Sequence, residues 1–231
     1  MLPIRDINPT KSAPVVTVAL IAANFVVWAG YELHHGLAAS ITSFGYHPCE
    51  VNSSCAQIGH SWALTVLTSM FMHGGWEHII GNMLFLWIFG NNIEDALGHV
   101  RFAVFYVLGG LAATAAQTVV TLGWGSRGDA MIPNVGASGA IAAVLGGYIL
   151  LYPRARVLTW VVPFFFFEIP AIALLGLWFG FQLWAGKVSL TTPEHGGGVA
   201  YFAHIGGFVF GLALVTVFLI GRPRPQPLPR Y

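Results

Sequence analysis

Residues 101 to 122, RFAVFYVLGGLAATAAQTVVTL, hold one charged side chain in the whole stretch, Arg101 at its start. A helix of that length rises roughly 30 Å, the thickness of a bilayer's hydrocarbon core. Five further runs share this character: residues 14 to 33, 78 to 94, 138 to 152, 169 to 186 and 199 to 221. Across the chain 56% of residues are apolar, 8% are charged and the mean hydropathy is +0.70, whereas about a quarter of residues are charged in ordinary soluble domains. The expected fold is an all-α polytopic membrane protein with six transmembrane helices. Residues 1–13 form a polar leader, 14–221 the membrane domain and 222–231 a tail.

The leader carries Arg5 and Lys11 ahead of the first apolar run, as a signal peptide would. The run is longer than a signal core and no small-x-small cleavage site follows, so it reads as an uncleaved helix. With six spans, Arg5, Lys11, Arg101, Arg154, Arg156, Arg222, Arg224 and Arg230 fall on one side, and Arg127 and Lys187 on the other. The positive-inside rule then makes both termini cytoplasmic. The longest loop, residues 34–77, faces outward and lacks Lys and Arg. Within it WALTVLTSMFM, residues 62–72, is apolar but too short to cross, which suits an interfacial segment. VLTWVVPFFFF, residues 157–167, is likewise too short, and reads as an interfacial lead into the fifth helix.

A formal charge of +1 with scattered basic residues excludes a nucleic-acid-binding surface, which needs clustered Lys and Arg. Cys49 and Cys55, six apart in the outer loop, match no zinc or redox pattern; a disulfide and two free thiols both stay open. HGGWEH holds the letters of a zinc-protease motif at the wrong spacing, so no metal and no cofactor is expected.

Depth brings four polar residues together. Ser138 stands sixteen residues before Arg154, about 24 Å at 1.5 Å per residue. His204 stands about 27 Å above Arg222, and His78 about 24 Å above Glu94 with Asn82 one turn deeper. Each has a plain reading: a small packing residue for Ser138, a satisfied interface residue for His204, and a mutual hydrogen bond for His78 and Asn82. Their common level and complementary chemistry point elsewhere, because a serine becomes a nucleophile only when a neighbouring base takes its proton. Gly139, Gly146 and Gly147 follow Ser138, and Gly207 and Gly211 follow His204, so these two helices can approach closely.

HGGWEHIIGNMLFLWIFG, GASGAIAAVLGGYILLYPRARV and AHIGGFVFGLAL, in this order, resemble the rhomboid family of intramembrane serine proteases over nearly the whole chain. The resemblance implies that Ser138 is the nucleophile and His204 the base of a dyad lacking an acidic third member. His78, Asn82 and the Ser138 backbone N–H are implied as oxyanion donors; Gly136, Gly139, Gly207 and Gly211 read as helix-packing glycines on their own spacing. It also implies transmembrane-protein substrates cleaved near their outer end, and a six-helix core in a bacterial cell (inner) membrane with the site open to the extracytoplasmic side. Two departures stand out. Many relatives have Trp-Arg where this chain has Trp62–Ala63, and some have an aromatic residue where it has Ala142, which leaves open how the His204 ring is held.

Water to release an acyl-enzyme would arrive beneath loops 123–137 and 187–198, with residues 193–198 as a cap and His195 a solvated loop residue. Trp178, Phe179, Phe181 and Trp184 on the fifth helix suit lipid-facing anchors; the family instead suggests a substrate gate between the second and fifth helices. Two other readings are a non-proteolytic rhomboid-like binding protein and a small membrane transporter, though the spans show no repeat halves or charged pathway.

Overall fold

The computed structural model describes residues 1–161, 165–191 and 199–223. Most of the chain is helical. Among the described residues, four helices are long and apolar enough to cross a membrane: α1 (Val15–His35), α6 (His99–Trp124), α9 (Ala171–Thr191) and α10 (Tyr201–Phe218). Between α1 and α6 lie α2 (Leu37–Phe44), α3 (Trp62–Thr68), α4 (Trp76–Phe85) and α5 (Asn91–Leu97), and after α6 come α7 (Arg127–Met131) and α8 (Ser138–Leu151).

The six expected runs do not all meet that criterion. The second is helical from Trp76 to Leu97, but a π-helical turn, Leu86–Gly90, separates α4 from α5, and Glu94 and Asp95 sit near its end. The fourth, α8, has 14 residues, about 21 Å of rise. It needs no more, because every residue from Gly139 to Tyr148 is buried among the other helices rather than set against lipid.

Contrary to the all-α expectation, the chain also forms a three-stranded antiparallel sheet in the order β1 (Leu2–Asp6), β2 (Arg156–Val161), β3 (Phe165–Pro170). Leu2 pairs with Trp160 and Asp6 with Val157, while Val161 pairs with Phe165 across the hairpin. The β-branched and aromatic side chains of VLTWV and FFF favour extended backbone. Val162, Pro163 and Phe164, the centre of the expected interfacial lead, lie outside the described residues. β3 runs directly into α9. The other short apolar stretch of the sequence becomes α3 followed by a 3-10 turn, Ser69–Phe71, with Trp62, Leu64 and Leu67 exposed.

Close packing of α6, α8 and α10 makes the core, and glycines set its spacing. A Cβ at Gly146 would fall on the Phe208 carbonyl oxygen, one at Gly207 on that of Gly139, and one at Gly211 on that of Ala143. At Gly139 a Cβ would stand 2.6 Å from Ala113 Cβ on α6. The backbones of α8 and α10 therefore touch directly, the small-residue contact by which membrane helices associate without a hydrophobic driving force. Gly211→Leu is expected to push the helices apart, lowering the thermal midpoint in detergent and abolishing any activity that needs residues of both. Retention of both properties would show that the contact is dispensable.

Polar ties hold the N-terminal stretch to the core. The buried Glu94 carboxylate accepts from the N–H groups of Val16 and Thr17 (2.8 and 2.7 Å) and from Thr17 Oγ1 (2.7 Å), and His99 Nδ1 lies 2.6 Å away. It thereby satisfies donors that a helix start leaves unpaired. Asp6 Oδ2 accepts from Tyr148 OH (2.8 Å) and Asn92 Nδ2 (2.6 Å). Burial outweighs these bonds and pushes the Asp6 carboxyl up to about 6.

A carboxyl raised on folding favours the folded state fully below its unfolded value near 3.8, and that benefit is lost as pH rises through about 6. The loss amounts to something on the order of 3 kcal/mol. Asp6→Asn is expected to remove this component, so that the gap between variant and native thermal midpoints changes between pH 4 and 7. A constant gap across that window would refute the assignment.

Candidate active site

Ser138 is the first residue of α8, where backbone N–H groups have no partner within the helix. His204 lies in the first turn of α10. The glycine contacts bring these helix starts together, and His204 Nε2 stands 2.8 Å from Ser138 Oγ. The other ring nitrogen, Nδ1, stands 2.8 Å from Gln182 Oε1 on α9. The Trp178 ring, one turn earlier on α9, lies 5.9 Å from the imidazole, tilted by 38°. With an alanine at position 142, α9 supplies both of these contacts to the His204 ring.

His78 and Asn82 lie one turn apart on α4. The Gly74 N–H donates to His78 Nδ1 at 3.2 Å, which leaves the ring proton of a neutral imidazole on Nε2. Asn82 is 8% exposed, and its Nδ2 is buried with no hydrogen-bond partner. His73 packs edge-on against His78 at 5.1 Å, and its backbone N–H donates to Glu32 at 2.9 Å. Burial, helped by the neighbouring His78, holds the His73 imidazole down at about 4, so it stays neutral there.

Gly136 departs from its expected role. It belongs to no helix; it sits in the loop before α8 with φ +116°, a conformation that favours glycine. A Cβ there would stand 2.7 Å from His78 Nε2 and 3.5 Å from Asn82 Nδ2. Gly136 therefore keeps space open in front of two donors, while Gly139, Gly207 and Gly211 serve helix packing.

That loop is braced from outside. Tyr46 and Asn134 exchange backbone hydrogen bonds of 3.1 and 2.8 Å, Thr118 Oγ1 donates to Tyr46 OH at 3.0 Å, and Gly136 N–H donates to the Ser69 carbonyl at 2.8 Å. Three residues beyond Tyr46, Cys49 is joined to Cys55 in a disulfide, which decides the question the sequence left open.

Ser138 lines a recess of about 30 Å³ together with Thr114, Gln117, Asn134, Gly136 and Ala203. That volume accommodates a water molecule, and Asn134 Nδ2 is buried without a partner. The fifth-helix aromatics divide: Phe179 stacks on Phe208 at 4.3 Å and Trp178 meets His204, whereas Phe181 and Trp184 are 51% and 62% exposed. Residues 193–198, with His195, lie outside the described residues, as do Arg224 and Arg230.

Gln182 and Trp178 are the site residues that sequence reasoning missed or misread. A lone amide amid WFGFQLWAG was the available signal, since a polar side chain inside an apolar helix seeks a partner across helices.

Fold and site define a class: a helical membrane protein with a serine and a histidine in hydrogen-bond contact within a recess among its helices. The Rhomboid domain matches residues 60–221. The chain is 30% identical over 203 residues to rhomboid protease GluP of Bacillus subtilis, covering 87% of this chain and 35% of that one. It is 29% identical over 151 residues to the mitochondrial rhomboid protein 1 of Saccharomyces cerevisiae (64% and 40%), and 28% identical over 219 residues to the mitochondrial presenilin-associated rhomboid-like protein of Rattus norvegicus (90% and 50%). The chain belongs to the rhomboid family. It spans about a third to a half of the length of these relatives. Because they include mitochondrial proteins as well as a bacterial one, the expectation of a bacterial inner membrane draws no support from them.

Proposed function

We propose that this chain is an intramembrane serine endopeptidase that cleaves transmembrane segments of membrane proteins near their outer end, using Ser138 and His204. One observation carries the reading: the 2.8 Å contact between Ser138 Oγ and His204 Nε2 at the start of two helices. A nucleophile and its base need that separation.

In the reaction His204 Nε2 takes the Ser138 proton while Oγ bonds to the scissile carbonyl carbon. The carbonyl oxygen gains the negative charge, and His78 Nε2–H, Asn82 Nδ2 and the Ser138 backbone N–H are the donors for it. Fixed donors of this kind are usually the largest single contribution to such catalysis. His204 then passes its proton to the departing amine as the C–N bond breaks. Water from the recess repeats the sequence on the acyl-serine, releasing the acid. Six spans with both termini cytoplasmic, and a mouth open on the opposite side, are the arrangement that goes with this reading. The exposed Phe181 and Trp184 suit lipid-facing anchors on α9.

The test uses purified full chain in liposomes with a panel of single-pass helices, and a fluorophosphonate probe for the serine. Cleavage of at least one helix and labelling, both absent in Ser138→Ala, are expected. Cleavage that persists in Ser138→Ala, or transport without proteolysis, would overturn the proposal.

A further inference from the structure

We infer that Gln182 is a positioning residue that holds His204 in the one tautomer able to act as a base on Ser138; this rests on the serine-protease reading above. Gln182 is 5% exposed on α9. A buried amide is costly unless paired, and its Oε1 lies 2.8 Å from His204 Nδ1. A carbonyl oxygen only accepts, so Nδ1 carries the proton. A neutral imidazole has a single N–H, and Nε2 therefore turns a lone pair toward Ser138 Oγ. The opposite tautomer would donate to the serine and could not take its proton.

Gln182 acts here without charge. A carboxylate in its place would also fix the tautomer, but would in addition favour the imidazolium. Trp178, on the same face of α9, limits tilting of the ring. Among the described residues the other titratable side chain that acts on His204 is His78 on α4; Ser138 from α8 and Gln182 from α9 are uncharged. The stripe that seats α9 against its neighbours is narrow: Ala171, Leu175, Gln182, Ala185 and Gly186 are its buried residues. Alignment of the base thus depends on a helix that carries neither reacting group.

The experiment compares the native chain with Gln182→Leu and Gln182→Glu in liposomes, measuring kcat and KM on a cleaved single-pass helix across pH, the fluorophosphonate labelling rate and the thermal midpoint. Gln182→Leu is expected to lower kcat and the labelling rate per folded molecule by about 10- to 100-fold, part of what a positioned base supplies, with KM within about twofold. Gln182→Glu keeps the acceptor, so it is expected to recover most of kcat at high pH while the acid limb of its pH profile moves upward. A packing role alone predicts the reverse order, with the apolar leucine tolerated and no displacement of the limb. Unchanged kcat in Gln182→Leu, or an unmoved limb in Gln182→Glu, would overturn the inference while leaving the protease reading intact. A native chain that neither cleaves nor labels would remove both.

Discussion

Ser138→Ala and His204→Ala are each expected to reduce cleavage by a factor on the order of 10⁶, and the double variant to be no worse than either. The reason is geometric. Ser138 Oγ and His204 Nε2 share one hydrogen bond of 2.8 Å, so removing either group leaves the other with nothing to do. Independent contributions would multiply instead, and a double variant much slower than both singles would argue against a single proton-transfer unit. Neither substitution removes a glycine of the α8–α10 contact, which continues from Gly139 and Gly207 to Gly146 and Gly211 deeper along both helices. Thermal midpoints within a few degrees of native are expected, and a large drop would turn lost cleavage into a folding effect.

Gly136→Ala is the second large effect, expected to cost about 10³-fold in kcat, because each oxyanion donor is worth about 10²–10³ and one methyl group obstructs two of them. The added carbon would stand 2.7 Å from His78 Nε2, inside contact distance, and 3.5 Å from Asn82 Nδ2. It would occupy the space a developing oxyanion needs. The backbone also resists the change, since φ +116° disfavours any residue with a Cβ. His78→Ala and Asn82→Ala separate the two causes: each is expected to lose about 10²-fold without backbone strain. Full activity in Gly136→Ala would mean that the oxyanion sits elsewhere.

What could be read from the residues follows the strength of each physical signal. Long uncharged runs announce themselves, so α1, α6, α9 and α10 were visible as candidate spans. The sheet was not, for two reasons. Residues 157–167 are apolar apart from Thr159, and a nearly continuous apolar run lacks the alternation that separates strand from helix. Its partner β1 lies in the polar leader, more than 150 residues away in the chain. Counting rise per residue gave Ser138 and His204 a common depth, and in the structure they touch. Depth says nothing of ring orientation, which is why Gln182 escaped notice. Gly136 was misread because GASGA looks like a packing motif throughout, whereas its first glycine precedes the helix and is defined by φ, a quantity no composition reveals.

The bond between Cys49 and Cys55 also bears on sidedness. Thiols stay reduced in the cytosol and pair in compartments that oxidise them, so a cystine in the loop braced against Asn134 supports turning that face, and the mouth beside Ser138, away from the cytosol. With the six spans of the proposed reading, eight of the ten lysines and arginines fall on the opposite side and two, Arg127 and Lys187, on this one, a bias that favours the same polarity through an unrelated force. Redox chemistry and electrostatics act as two independent compasses for the proposed orientation, and reading each against the other is a test of it.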